Sequence, residues 1–283
     1  MFIIQLIVLV LVLCAKYAAT ARCPYPSSHE VTFNIIVSSL FRDNQIPPGD
    51  VLDVGAHNGT WGCMYACFDQ SRTVHAIDPN PKLVDAMECT HHNFKPHNAA
   101  VSNRNGFMRF ETRDFVGKVE RIGDKRQHEN DIPIQTLDYL FLNLWKATPG
   151  FLHIDVEGYE LEALQGATKI IRKFQPVFSI EAHVNENKTF TVELLKFVEG
   201  FGYSLFMVNE VCGGRQSCRN FLCFPRVVHH LRKGMMHPVL DLAHRTGMIL
   251  KVTKDNVFDE FEKSKHLAPK WGDAGVFPAI GMY

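Results

Sequence analysis

Asp50-Val51-Leu52-Asp53-Val54-Gly55-Ala56-His57-Asn58-Gly59-Thr60-Trp61-Gly62 is the stretch on which the fold turns. Asp50 to Gly55 reads as a short buried strand ending in a glycine-containing loop, and Trp61 to Phe68 as the helix that leaves it. Thr73 to Ile77 is a second strand. Pro79 to Asn93 has the length and spacing of a helix, with Leu83, Val84 and Met87 on one side, and His97 to Val101 returns to strand. The order is βαβαβ. Upstream, Ser27 and Glu30 have capping-box spacing and predict a helix over Val31 to Phe41, stopped by Pro47-Pro48-Gly49. Downstream, the polar stretch Asn103 to Asp131 reads as a hairpin or an active-site loop. Helices are then expected at Thr136 to Leu144, Glu160 to Phe174 and Thr191 to Phe201. Strands are expected at Phe151 to Asp155, Val177 to Ala182, Tyr203 to Val208 and Phe221 to Phe224. Alternation that ends in a hairpin implies a mostly parallel sheet with helices on both faces and an antiparallel strand late in the chain. In such a sheet a ligand belongs at the carboxyl ends of the strands, near the switch point.

Composition agrees with one large α/β domain. The 283 residues carry 30 Lys+Arg against 30 Asp+Glu and are 46% apolar, the profile of a globular chain. A net charge of zero without basic runs gives nucleic acid no electrostatic purchase. The first segment differs, because Phe2 to Cys14 is almost continuously apolar and Ala19-Thr20-Ala21 supplies a small-x-small cleavage pattern. Residues 1–21 therefore read as a secretory signal peptide, too short to span a bilayer, although the charge nearest the apolar run, Lys16, follows it. Secretion, with no stable membrane span after cleavage, is expected; a retained anchor is the alternative. Of eight cysteines, Cys14 leaves with the signal, so an odd number enters an oxidising compartment. Cys212 and Cys218, flanking Gly213-Gly214, read as a hairpin staple; Cys63 and Cys67 are four apart and read as half-bridges or core thiols. No CxxC pair supports zinc. The organisation is a signal over 1–21, a helical lead-in over 22–49, the main domain over 50–225 and a C-terminal extension over 226–283, where Pro238 to His244 and Asn256 to Lys263 read as helices.

The loop after the first strand is neither GxGxxG nor a P-loop. A carboxylate at Asp53 would repel a pyrophosphate but attract a cofactor carrying an ammonium and a sulfonium, which favours S-adenosylmethionine. Asp78, ending the second strand, is placed to accept hydrogen bonds from two ribose hydroxyls. Gly55, His57, Asn58 and Gly59 shape the loop, and Asn98 and Ala99 close the third strand where an adenine would lie. Read more plainly, Asp53 is a helix cap and the two glycines are turn residues.

Phe151-Leu152-His153-Ile154-Asp155-Val156-Glu157-Gly158-Tyr159-Glu160, with Leu164 and Gly166-Ala167 after it, closely resembles the signature of FkbM-type S-adenosylmethionine-dependent methyltransferases. Asp53 to Gly59, Asp78-Pro79, Asn98 to Ser102 and Ile180 to His183 match the same family in the same order, with His57 where Asn is commoner and Asp78 where Glu is usual. The resemblance covers roughly residues 50 to 183. It implies a Rossmann-like class I methyltransferase fold, with a mostly parallel seven-stranded sheet. It implies O-methylation as well, by attack of a substrate hydroxyl on the sulfonium methyl with S-adenosylhomocysteine leaving.

Such a reaction needs alignment and a base for the hydroxyl proton. Asp155, Glu157, Glu181 and His183 are the candidates, since all four fall at or just beyond the carboxyl ends of adjacent strands. Histidine titrates nearest neutrality, which favours His183. Glu160 reads better as an acid stabilising a helix start. Two acids on different strands are too little to assign a metal. Secretion and the resemblance together suggest a carbohydrate or another hydroxylated small molecule as substrate. A secreted binding protein that keeps the fold without turnover is a second reading; a dinucleotide-dependent oxidoreductase is disfavoured by the missing GxGxxG. Asn187-Lys188-Thr189 and Asn58-Gly59-Thr60 are glycan acceptor motifs, the latter inside the expected cofactor loop.

Overall fold

The computed structural model describes residues 23, 30–111, 118–126, 128, 130–212, 216–226 and 238–267. The expected signal segment 1–21, Ser27 and Gly213-Gly214 lie outside them. Helix α1 (Val31–Arg42) precedes β1 (Asp50–Val54), α2 (Thr60–Phe68), β2 (Val74–Asp78), α3 (Pro81–Asp85) and β3 (Phe94–Asn98). Then come β4 (Ala100–Val101), β5 (Gly106–Glu111), β6 (Lys118–Gly123) and β7 (Ile132–Gln135). A short α4 (Leu137–Tyr139) runs into a π-helical turn (Leu140–Leu144) before β8 (Pro149–Ile154). The rest is α5 (Glu160–Gln165), α6 (Thr168–Phe174), β9 (Val177–His183), α7 (Lys188–Gly200), β10 (Tyr203–Val208), β11 (Cys218–Pro225), α8 (Pro238–Arg245), β12 (Ile249–Val252) and α9 (Val257–Leu267).

The main sheet has the order β12-β10-β11-β9-β8-β1-β2-β3, eight strands where seven were expected. The extra one is β12, which pairs antiparallel with β10 and comes from the C-terminal extension. The expected late antiparallel strand is β11, between β9 and β10. Chain order reverses direction between β1 and β8, so the loops after these two strands face each other at the switch point. The polar stretch after the third strand forms a separate sheet, β4-β7-β5-β6, whose β5 and β6 are the anticipated hairpin.

Alternation along the strands sorts the core into two layers. Leu52, Val54, Leu152, Ile154, Phe178 and Ile180 pack on one face with Leu164, Ile171, Leu194 and Phe261. Val51, Phe151, Leu222 and Phe224 pack on the other with Phe33, Val37, Leu40, Met64 and Tyr65 of α1 and α2. The second face also carries a buried polar row across neighbouring strands: Asp53, His153, Ser179 and Asn220. His153 Nδ1 lies 2.7 Å from Ser179 Oγ, and burial lowers the His153 pKa to about 4, so the ring stays neutral.

Three helices depart from their expected form. Between Pro79 and Asn93 only Pro81–Asp85 is helical, because the Asn80 side chain starts the turn and a Cys63–Cys89 disulfide ties the following segment to α2. The stretch Glu160 to Phe174 breaks into α5 and α6 around Gly166, where any Cβ would collide with the carbonyl of Ser102. Helix α1 begins as predicted but not by a capping box. Glu30 makes no side-chain cap; Glu210, beyond β10, accepts hydrogen bonds from Thr32 N at 2.9 Å and Phe33 N at 3.0 Å instead. No described helix is long and apolar enough to cross a membrane.

Candidate active site

The loops after β1 and β8 interlock. Gly55 has φ +78° and sits so close to the Asp155 carbonyl that a Cβ there would collide with it. Asp155 N in turn donates to Val54 O at 3.0 Å. Each loop also holds a non-glycine residue in the left-handed region, His57 and Glu157, both at φ 49°. Backbone of this kind persists where surrounding contacts enforce it and is common at ligand sites. Around His57 the enforcing contact is Asp78, whose Oδ2 accepts from His57 N at 2.9 Å while its Oδ1 accepts from Asn80 N at 2.8 Å. Around Glu157 it is Glu160, whose Oε1 accepts from Val156 N at 3.2 Å and Gly158 N at 3.0 Å. Glu160 thus stabilises the loop and the start of α5.

Asp53 is buried beneath its loop rather than at the surface of the cleft; its Oδ2 faces Gly62 at the start of α2 and has no hydrogen-bond partner among the described residues. Burial raises its pKa to about 7. Gly59 is the left-handed residue before α2, and His57 and Asn58 are exposed at the loop tip. Asn58 Oδ1 accepts from Thr60 Oγ1 at 2.7 Å, closing its own turn. Asn98 Nδ2 donates to the carbonyls of Asp78 at 3.0 Å and Pro79 at 3.1 Å, fixing the ends of β2 and β3 together, and Ala99 is buried beside them. The residues expected to hold a cofactor, Asp53 beneath its loop excepted, therefore form one rim over the ends of β1, β2 and β3.

Across the switch point lie the four other expected residues. His183 Nε2 is 3.5 Å from Glu157 Oε2 and 4.0 Å from Glu181 Oε1, and His183 Nδ1 is 3.7 Å from Glu186 Oε1. Burial followed by the neighbouring carboxylates raises both Asp155 and Glu181 above the ordinary carboxylate range. Three residues that the sequence did not assign to the site, Glu30, Asn220 and Glu210, complete this group. Glu30, at the start of α1, accepts from Asn220 Nδ2 at 3.0 Å, and Asn220 pairs in register with Glu181. Burial raises Glu30 and Glu210 alike to about 7. The Cys212–Cys218 disulfide, the expected hairpin staple, lies against Glu181: the three ligand-type atoms fall within 4.8 Å of one another. Two of them are bonded to each other, so this set is not a metal centre. The predicted Cys63 and Cys67 both pair, with Cys89 and Cys23, and Cys223 is the odd thiol, buried.

Residues 53–205, more than half of the chain, match the family described as methyltransferase FkbM domain. A methyltransferase FkbM from Methylobacillus flagellatus KT is similar at 16% identity, covering 62% of this chain with a TM-score of 0.43; this chain spans only 43% of that protein. Human methyltransferase-like protein 13, solved in complex with S-adenosylhomocysteine, shares 14% identity over 88% of this chain and 97% of its own, with a TM-score of 0.45. Precorrin-6y C5,15-methyltransferase from Geobacter metallireducens GS-15 shares 11% over 66% and 85%, with a TM-score of 0.38. No curated protein sequence matches.

Proposed function

The chain belongs to the FkbM methyltransferase family, and we propose that it methylates a hydroxyl group of a carbohydrate or another small molecule, using S-adenosylmethionine. The observation that carries this reading is the pair of interlocked loops after β1 and β8, with Asp78 on one side and the His183 group on the other. When bound, S-adenosylmethionine supplies an electrophilic methyl group on a sulfonium. The rim fits that cofactor: it carries acids where a cation would lie, and a buried Asp53 oxygen lacks a partner among the described residues. Gly55 and Gly59 would let the backbone approach it, Asp78 would use its remaining lone pairs for two ribose hydroxyls, and Asn98 and Ala99 would border the adenine. His57 and Asn58 cover the rim from the loop tip.

His183 is the proposed base for the acceptor hydroxyl. Glu157, the nearer and more exposed of the two acids at its Nε2, would stabilise the imidazolium once the proton has moved, with Glu181 beside it. Asp155, at the end of β8, orients the acceptor between this base and the cofactor rim. Residues 1–21 act in this proposal as a cleaved signal, and the three disulfides support an oxidising compartment. One observation favours a non-catalytic secreted protein: Asn58 is exposed within an acceptor motif on the cofactor loop, and a glycan there would block the rim. The dinucleotide alternative has no such support.

Calorimetric titration of S-adenosylhomocysteine into chain 22–283 tests the reading. Micromolar affinity, about 8 kcal/mol, is expected, with a loss of tenfold or more in Asp78→Ala and in Gly55→Ala. A folded wild type that does not bind would make the non-catalytic reading the better one.

A further inference from the structure

The proposed site gathers four carboxyl groups whose charge no fixed cation among the described residues balances, so burial holds their pKa values up until a cation arrives. Glu30 and Glu210 meet at the start of α1, Asn220 joins Glu30 to the strand position beside Glu181, and Asp155 follows β8 close to Glu157 in sequence; no lysine or arginine of the described residues pairs with Glu30, Asp155, Glu181 or Glu210. S-adenosylmethionine brings an ammonium, a sulfonium and a carboxylate, a net single positive charge. Two further observations show unmet demand for hydrogen-bond donors. The Asp155 side chain is half-buried and makes no hydrogen bond with the described residues. Asn220, 3% exposed, gives its amide hydrogens to Glu30, and its Oδ1 finds no donor among the described residues although it sits on the strand position beside Glu181. Buried acceptors left this way are costly unless a ligand or water supplies the donors.

We propose that the acceptor substrate carries an ammonium group, as an amino sugar or an amino alcohol does, bound among Asp155, Glu181, Asn220 and Glu30 while a neighbouring hydroxyl is methylated. This rests on the methyltransferase reading. An ammonium has three donors that reach acceptors at about 2.7 to 2.9 Å, which suits acceptors spread over β8, β9, β11 and the start of α1. A divalent ion would need them drawn into one compact shell, and the only compact set among the described residues is Glu181 with the two disulfide-bonded cysteines.

The test uses chain 22–283 saturated with S-adenosylhomocysteine, so that the cofactor rim is filled. Calorimetry compares D-glucosamine with D-glucose and ethanolamine with ethylene glycol, the two pairs separating amino sugars from amino alcohols; magnesium chloride is titrated alone. The charged member of at least one pair is expected to bind tenfold or more tighter than its neutral partner. That preference should fall below twofold in Glu181→Gln and Asp155→Asn, and by half or more in Glu30→Gln, which keeps an acceptor for Asn220 if the other variants fold poorly. Equal binding within both pairs, or no binding by any probe, overturns the proposal. So does magnesium binding that is lost in the same variants without any amine preference. Failure of S-adenosylhomocysteine itself to bind overturns the methyltransferase reading, and the ammonium site with it.

Discussion

His183 is the residue on which turnover should depend most. Replacing it with Gln removes the proposed base while keeping a polar side chain of similar reach, and kcat is expected to fall by about 10² to 10⁴, the usual range for general base catalysis. S-adenosylhomocysteine affinity should stay within threefold, and titration of the variant separates the two effects. At Gly55 the expectation is the reverse, since Ala there forces the β1 and β8 loops apart: thermal melting and cofactor affinity should both drop, with a loss of stability above about 1 kcal/mol. The residues that could be read in the sequence are those whose signal is local. Asp53, Gly55 and Asp78 terminate short apolar runs, and Asp155 to Glu160 form one continuous motif. Glu30, Glu210 and Asn220 left no such mark. Glu30 and Asn220 are 190 positions apart, and only the polar Asn220 inside the otherwise apolar Phe221 to Phe224 neighbourhood hinted that one face of that strand is not core.

Helix α1 is the element that ties the lead-in to the site. Its first amide hydrogens are accepted by Glu210 rather than by a neighbour in sequence, so Glu210→Ala should cost about 1 to 2 kcal/mol, measurable as a lower urea midpoint at unchanged m. The same helix start makes the fold pH-sensitive. Glu30 and Glu210 titrate near 4.3 when unfolded and at about 7 when folded, because burial penalises the charged form. Over that window the folded chain holds the extra protons, so stability is greatest at the acid end and falls as pH rises towards 7. Asp155 and Glu181, raised for the same reason, extend the decline above neutrality. Melting curves between pH 5 and 8 should show Tm falling, with a flatter slope in Glu30→Gln; a Tm that rises across this range contradicts the assignment. At this scale the strand order was legible because apolar runs bounded by glycine and proline mark buried strands well. Helix lengths were less so. Gly166 ends α5 through contact with Ser102, just after the distant β4, and Cys89 is drawn to Cys63; neither partner could be known from spacing.

Over the whole molecule, covalent chemistry decides whether the proposed enzyme works where it is proposed to act. The Cys23–Cys67 bridge closes 44 residues and anchors the lead-in to α2; loop-closure entropy for that length is worth about 4 kcal/mol. Cys23→Ser with Cys67→Ser should lower Tm more than reduction of the six-residue Cys212–Cys218 loop, and non-reducing peptide maps should return three bridges with Cys223 as the free thiol. The two acceptor motifs then compete for significance. Asn187 is exposed and its Oδ1 receives Phe190 N at 3.0 Å, which orients the amide nitrogen away from the helix and leaves it open to a glycan. Asn58 is equally exposed, but its Oδ1 already binds the Thr60 hydroxyl and its loop is clasped by Asp78. A folded loop of that shape is a poor fit for the extended turn that glycan transfer needs, so Asn187 should be modified and Asn58 bare in protein secreted from eukaryotic cells. Peptide mass mapping decides it. Full occupancy at Asn58 would place a sugar on the cofactor rim and turn the secreted form into a non-catalytic protein, whereas occupancy confined to Asn187 leaves the rim open and the methyl acceptor as the remaining unknown.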